Sequence, residues 1–161
     1  MVVAENARIL VVDDDRNIAN ILVEYITKMG YGAEAAYFGN EGIERFKSGN
    51  FHMVITDMKM PDMDGMEVLD AVKSIDKNVA VVLITGYPTI DRAVEAIKAG
   101  AYDFISKPFD FKALEVVINR ALERHTLFRR LGMFRGLTLA LIISVPVWLV
   151  LGIALAYLIL K

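Results

Sequence analysis

The sequence predicts an α/β domain, a parallel sheet with helices on both faces, followed by one membrane-spanning helix. Three observations carry this. Short, almost wholly apolar runs recur at residues 8–12, 53–56 and 79–85, as strands buried on both faces require. Between them lie stretches whose apolar residues repeat at helical spacing. From Leu137 to Leu160 there are 24 consecutive residues without a charge.

The elements run in chain order. Arg8–Val12 reads as strand one. Ile18, Ile21, Leu22, Tyr25, Ile26 and Met29 trace one helical face, and Gly30 stops that helix. Residues 32–37 form a weaker strand and 40–48 a short helix. Met53–Thr56 is strand three, and the turn residues Pro61 to Gly65 come after it. Met66, Leu69 and Val72 open another helical face. Val79–Thr85 is strand four. Pro88 suits the first turn of the next helix, where its missing N–H costs nothing. Tyr102–Ile105 is strand five, and Leu114, Val117, Ile118, Ala121 and Leu122 mark the last helix. Five strand–helix units of this length imply a parallel sheet with helices on both faces.

Charge divides the chain. Of its 161 residues, the first 119 carry 12 Lys+Arg and 19 Asp+Glu, and the last 42 carry 6 and 1. The acidic part is no general nucleic-acid binder. The absence of cysteine excludes disulfides, thiol nucleophiles and Cys-bound metals. A mean hydropathy of +0.43 excludes disorder of the whole chain. The uncharged run, at ~1.5 Å per residue, is about 36 Å long, enough to cross a ~30 Å hydrocarbon core. Arg120, Arg124, Arg129, Arg130 and Arg135 precede it and only Lys161 comes after. The positive-inside rule then puts the N-terminal part in the cytoplasm. The sequence thus divides into a domain at 1–124, a basic connector at 125–136 that lies against membrane lipid, and a transmembrane helix at 137–160. Gly152 and Ala156 have the spacing of a helix–helix contact in lipid. Fewer than 15 residues separate the last helix of the domain from the span, too few for a helix-turn-helix module, so direct DNA binding is not expected.

Ligands of open parallel sheets bind beyond the carboxyl ends of the strands. Strand one ends in Asp13-Asp14-Asp15, strand three in Asp57, strand four in Thr85-Gly86, and strand five runs into Ser106-Lys107-Pro108. Asp15 reads most simply as a helix cap. Asp13, Asp14 and Asp57 would repel one another unless a cation sits among them. Oxygen-only ligands suit Mg²⁺, which takes one or two carboxylates together with phosphate oxygens. A carboxylate such as Asp57 can attack phosphorus and become an acyl phosphate, with Lys107 neutralising the charge that develops. His52 and His125 are isolated and carry no assigned chemistry.

These residues resemble the receiver domain of two-component response regulators, with spacing closest to the nitrogen-regulation type. The resemblance covers about residues 7–124 and rests on "ILVVDDD", "VITDMKMPDMDGMEVL" and "VLITGYPTIDRAVEAIKAGAYDFISKPF". It implies a flavodoxin-like sheet of strand order 2-1-3-4-5. It makes Asp57 the phosphoacceptor, with Thr85 and Lys107 assisting. Mg²⁺ would be bound by Asp14, Asp57 and the backbone carbonyl of Lys59, with Asp13 acting through water. Thr85 and Phe104 would be the switch pair. The implied donor is a sensor histidine kinase or phosphotransfer protein, and a homodimer or membrane-protein partner is left open. The domain would be a signalling phosphoacceptor rather than an enzyme, limited to its own dephosphorylation, in a bacterial inner membrane. The alternative is an adaptor that uses the same fold for docking without phosphorylation. A phosphatase or phosphotransferase using an aspartyl phosphate usually has a second acid two positions after the nucleophile, where this chain has Lys59.

Overall fold

A computed structural model describes residues 7–123. The chain divides into two units, Met1–His125 and Thr126–Lys161. The first holds the sheet and its helices. Five strands alternate with helices: β1 Arg8–Val12, α1 Arg16–Lys28, β2 Gly32–Ala36, α2 Gly39–Ser48, β3 Met53–Asp57, α3 Gly65–Ile75, β4 Ala80–Thr85, α4 Ile90–Lys98 and β5 Asp103–Ser106. A last helix, α5, is described over residues 111–123. All strands pair in parallel, in the order β2-β1-β3-β4-β5. This is the flavodoxin-like order the sequence led us to expect.

Alternation along the strands builds two cores. Ile9, Val11, Met53, Ile55, Val82 and Ile84 face one side. There they meet Ala19, Leu22 and Ile26 of α1 and Leu114, Ile118, Ala121 and Leu122 of α5. Leu10, Val12, Val54, Val81 and Leu83 face the other side. There they meet Phe46 of α2, Val68, Leu69 and Val72 of α3, and Ala96 of α4. Because both faces are covered, β1, β3 and β4 read as unbroken apolar runs. Each such fully buried aliphatic side chain contributes about 1.5–3 kcal/mol. Two long-range hydrogen bonds fasten α5: the Tyr25 hydroxyl donates to Glu115 and the Tyr31 hydroxyl to Asn119.

The element boundaries reflect local chemistry. Asp15 caps α1 by accepting from the amides of Asn17 and Ile18, as expected. Gly30 ends that helix region at φ +91°, a conformation glycine takes without strain. One expectation is corrected: Pro88 stands outside α4. Thr89 is the N-cap and accepts from the amide of Arg92, so the helix begins at Ile90.

Among the described residues no helix is long and apolar enough to cross a membrane. The expected connector at 125–136 and span at 137–160 lie outside the described residues.

Candidate functional site

The strand order reverses direction between β1 and β3, which opens a crevice at their carboxyl ends. Parallel register sets Val12 beside Thr56 and Asp57 beside Ile84. Asp13 and Asp57 thus emerge on the same edge, as residues only 2% and 7% exposed. Two buried carboxylates there need a counter-charge, and Lys107 supplies it. Its Nζ donates to Asp13 Oδ2 at 2.8 Å and to Asp57 Oδ1 at 2.5 Å. The lysine is delivered by the turn after β5, where its backbone N–H donates to the Thr85 carbonyl at 2.6 Å.

The remaining oxygens of the pair are also engaged. Asp13 Oδ1 accepts from the amide of Asp15 at 2.9 Å, and Asp57 Oδ2 accepts from the amide of Lys59 at 2.7 Å. Among the described residues no buried side-chain nitrogen or oxygen lacks a partner. Burial is the largest influence on Asp13 and raises its pKa. The Lys107 ammonium pulls it down, the Asp57 charge adds to the rise, and the net result lies above the ordinary value. Burial works against the charged form of Lys107 too, but its hydrogen bonds and charge pairing with both carboxylates hold its pKa above the usual lysine value.

Gly65, the first residue of α3, permits this geometry. A methyl group there would stand 2.4 Å from the Asp57 carbonyl oxygen, so only glycine lets α3 start so close to the end of β3. Asp64 and Glu67 close a reciprocal capping box over that start.

The expected site residues divide by position. Asp13, Asp57 and Lys107 are brought into contact. Thr85, 3% exposed, ends the adjacent strand, and its hydroxyl accepts from the Tyr87 amide at 3.1 Å. Phe104 is partly buried against the core that holds α2, α3 and α4. Asp14 is exposed. Among the described residues no three His, Cys, Asp or Glu side chains gather as a metal cage. Of the three acids expected at the site, Asp13 and Asp57 are brought close together with the Lys107 ammonium between them, while Asp14 is exposed. The donor chemistry still suits a hard ion. Asp13 and Asp57 offer buried carboxylate oxygens, with Asp14 next to them in sequence, an incomplete oxygen set of the kind Mg²⁺ accepts.

Two features escaped the sequence reading. One is the grip of the Lys59 amide on Asp57, because any residue carries an N–H. The other is an apolar groove of about 430 Å³ beside Lys107, lined by Ile18, Ile21, Leu22, Pro108, Phe109 and Phe111. Its only signal was the closely spaced Phe109 and Phe111 after Lys107-Pro108.

The same fold occurs in known proteins. Residues 9–119 match the model of the response regulator receiver domain. The chain belongs to the response regulator receiver family. The transcriptional regulatory protein ZraR of Klebsiella oxytoca is 37% identical over 118 residues, which are 73% of this chain and 27% of that protein. The nitrogen assimilation regulatory protein NtrX of Azorhizobium caulinodans is 36% identical over 132 residues, 81% of this chain and 29% of that one. Among solved structures, a response regulator receiver domain protein from Clostridium thermocellum is 35% identical. It superposes with a TM-score of 0.73, covering 76% of this chain and 98% of that one. The match therefore spans little more than a quarter of the length of these curated relatives.

Proposed function

We propose that this receiver accepts a phosphoryl group on Asp57 from a sensor histidine kinase or phosphotransfer protein and converts it into a change of protein contacts. The observation that carries the reading is the Lys107 ammonium held between buried Asp13 and Asp57 at the sheet's switch point. A carboxylate oxygen of Asp57 attacks the phosphorus of a phosphohistidine. The new O–P bond forms as the N–P bond breaks, and the freed imidazole takes up a proton. Lys107 stays charged at neutral pH and remains close enough to pair with a phosphoryl oxygen. Asp13, Asp14, Asp57 and the Lys59 carbonyl would hold Mg²⁺, whose charge offsets that of the phosphoryl group.

Phosphorylation adds about −1.5 to −2 charge to a site that already has two carboxylates against one ammonium. The Thr85 hydroxyl leaves the Tyr87 amide and donates to the phosphoryl group. Phe104 then moves into the space left. Shifting such an element from 1:99 to 99:1 takes ~5.5 kcal/mol of differential interaction, within reach of several charge-assisted contacts. The change is read out at the α4–β5–α5 surface, where Ile90, Val94, Ile97 and Val116 stand exposed and where a second copy or another protein can bind. Output is through protein contacts rather than DNA, in keeping with the acidic charge of the domain. The domain turns over no external substrate and only loses its own phosphoryl group to water.

We further propose that residues 137–160 anchor the chain as a single span with the receiver in the cytoplasm. The uncharged run and the arginines before it support this reading.

Intact mass of the full chain in detergent, with Mg²⁺ and a small acyl phosphate, tests the acceptor. One added phosphoryl group in wild type, absent in Asp57→Asn and with chelator, is expected. No gain in a folded wild type favours the adaptor. Alkaline carbonate extraction of membranes tests the anchor: the chain stays with the bilayer if the span is real and is released if it is not.

A further inference from the structure

Helix α2 does not cap itself. Its N-cap residue is Phe38, which makes no side-chain cap hydrogen bond. The first amides of a helix need acceptors, and here the acceptor comes from the loop after β3. Asp62 Oδ1 accepts from the Gly39 amide at 3.0 Å, and Oδ2 accepts from the Asn40 amide at 2.9 Å and from Asn40 Nδ2 at 3.2 Å. A carboxylate at the positive end of a helix is favourably placed. The next residue tightens the join: a methyl group at Gly39 would lie 2.6 Å from Met63 Cγ. Two successive loop residues are thus locked to the start of α2.

The same loop is clamped at its base to the functional site. The Met58 amide donates to the Ile84 carbonyl at 2.7 Å, and the Gly65 amide donates to the Met58 carbonyl at 2.9 Å. Lys59 bridges antiparallel to Asp64, and its amide holds Asp57 Oδ2. The loop is short and held at base and crest, so displacing its crest displaces Lys59. We propose that Asp62 is a positioning residue: by fastening the β3–α3 loop to α2, it sets the Lys59 main chain against Asp57 and so tunes Mg²⁺ affinity. This rests on the phosphoacceptor reading above.

Calorimetric titration of Mg²⁺ into the full chain in detergent tests it, with folding checked by circular dichroism. Asp62→Ala is expected to weaken Mg²⁺ binding about tenfold, the lower end of losses seen when an outer partner of a metal site is removed. Asp62→Asn keeps one acceptor oxygen and recovers part of the affinity, and it remains informative if the alanine variant does not fold. Glu41→Ala is the control. It loosens the same end of α2 by losing the bond from the Tyr37 amide (2.9 Å), without touching the loop. It is expected to lower stability and leave Mg²⁺ affinity unchanged. Unchanged affinity in folded Asp62→Ala, or an equal loss in Glu41→Ala, overturns the assignment. A wild type that binds no Mg²⁺ overturns the underlying reading and the assignment with it.

Discussion

Helices α3 and α4 pack on the same face of the sheet, yet they are held very differently. In α3, Gly65, Val68, Leu69 and Val72 are buried, and a capping box fixes its start against the Asp57 backbone. In α4 only Ala96 is buried, while Ile90, Val94 and Ile97 are 84%, 45% and 50% exposed. The anchored helix comes after the strand that ends in Asp57, and the loose one after the strand that ends in Thr85. A site that must bind charge reproducibly gains from rigid neighbours. An element that must answer gains from having little core to give up when it moves. The apolar residues missing from the α4 core are on its surface, available to a partner.

The largest expected effect tests this contrast in the core. Leu69→Ala should cost about 3 kcal/mol in urea denaturation of the receiver, within the range for a buried leucine. Ile97→Ala, a similar truncation on half-exposed α4, should cost about 0.5 kcal/mol or less. Equal losses would break the comparison. A smaller effect concerns the caps. Asp64→Ala should lower global stability by about 1 kcal/mol. Thr89→Ala removes the same kind of cap, but should show mainly as faster amide exchange confined to α4, because that helix opens locally before the domain unfolds. Global loss of the same size in both would show α4 to be as integral as α3.

The smallest effect sharpens the contrast between a helix that caps itself and one that borrows its cap. Burial tends to raise the pKa of Asp62, but the Asn40 and Gly39 amides hold it below the ordinary aspartate value of 3.8. A folded value below the unfolded one means the stabilisation is present above the unfolded pKa and is lost as pH falls through the folded one. The stability gap between wild type and Asp62→Asn should therefore narrow as the pH is lowered from about 5 to 3. A gap that does not change with pH would mean the carboxylate charge contributes nothing to the join.

Much of this protein was legible before folding. Wherever a residue acts through its type and its place along a strand or helix, sequence was enough. Runs such as Val79–Thr85 announced strands covered on both faces, because only burial removes alternation. Asp13, Asp57, Thr85 and Lys107 could be assigned to one edge because parallel strands place their carboxyl ends together. Asp15 declared itself a cap by its position before a periodic stretch. What remained hidden depended on chain segments far apart in sequence. The 2.8 Å and 2.5 Å contacts of Lys107 with Asp13 and Asp57 exist only because the β5 turn meets β1 and β3. Asp14 comes directly after Asp13, yet it is exposed while Asp13 is buried. Pro88 missed its helix because the Thr89 hydroxyl reached the Arg92 amide and set the start beyond it. The cap of α2 crosses more than twenty positions of chain to Asp62. Local pattern set the elements and the chemistry offered at their ends, because propensity and periodicity act over a few residues. Tertiary structure alone decided which charges pair and which helix stays loose, because these depend on what packing brings within hydrogen-bond reach.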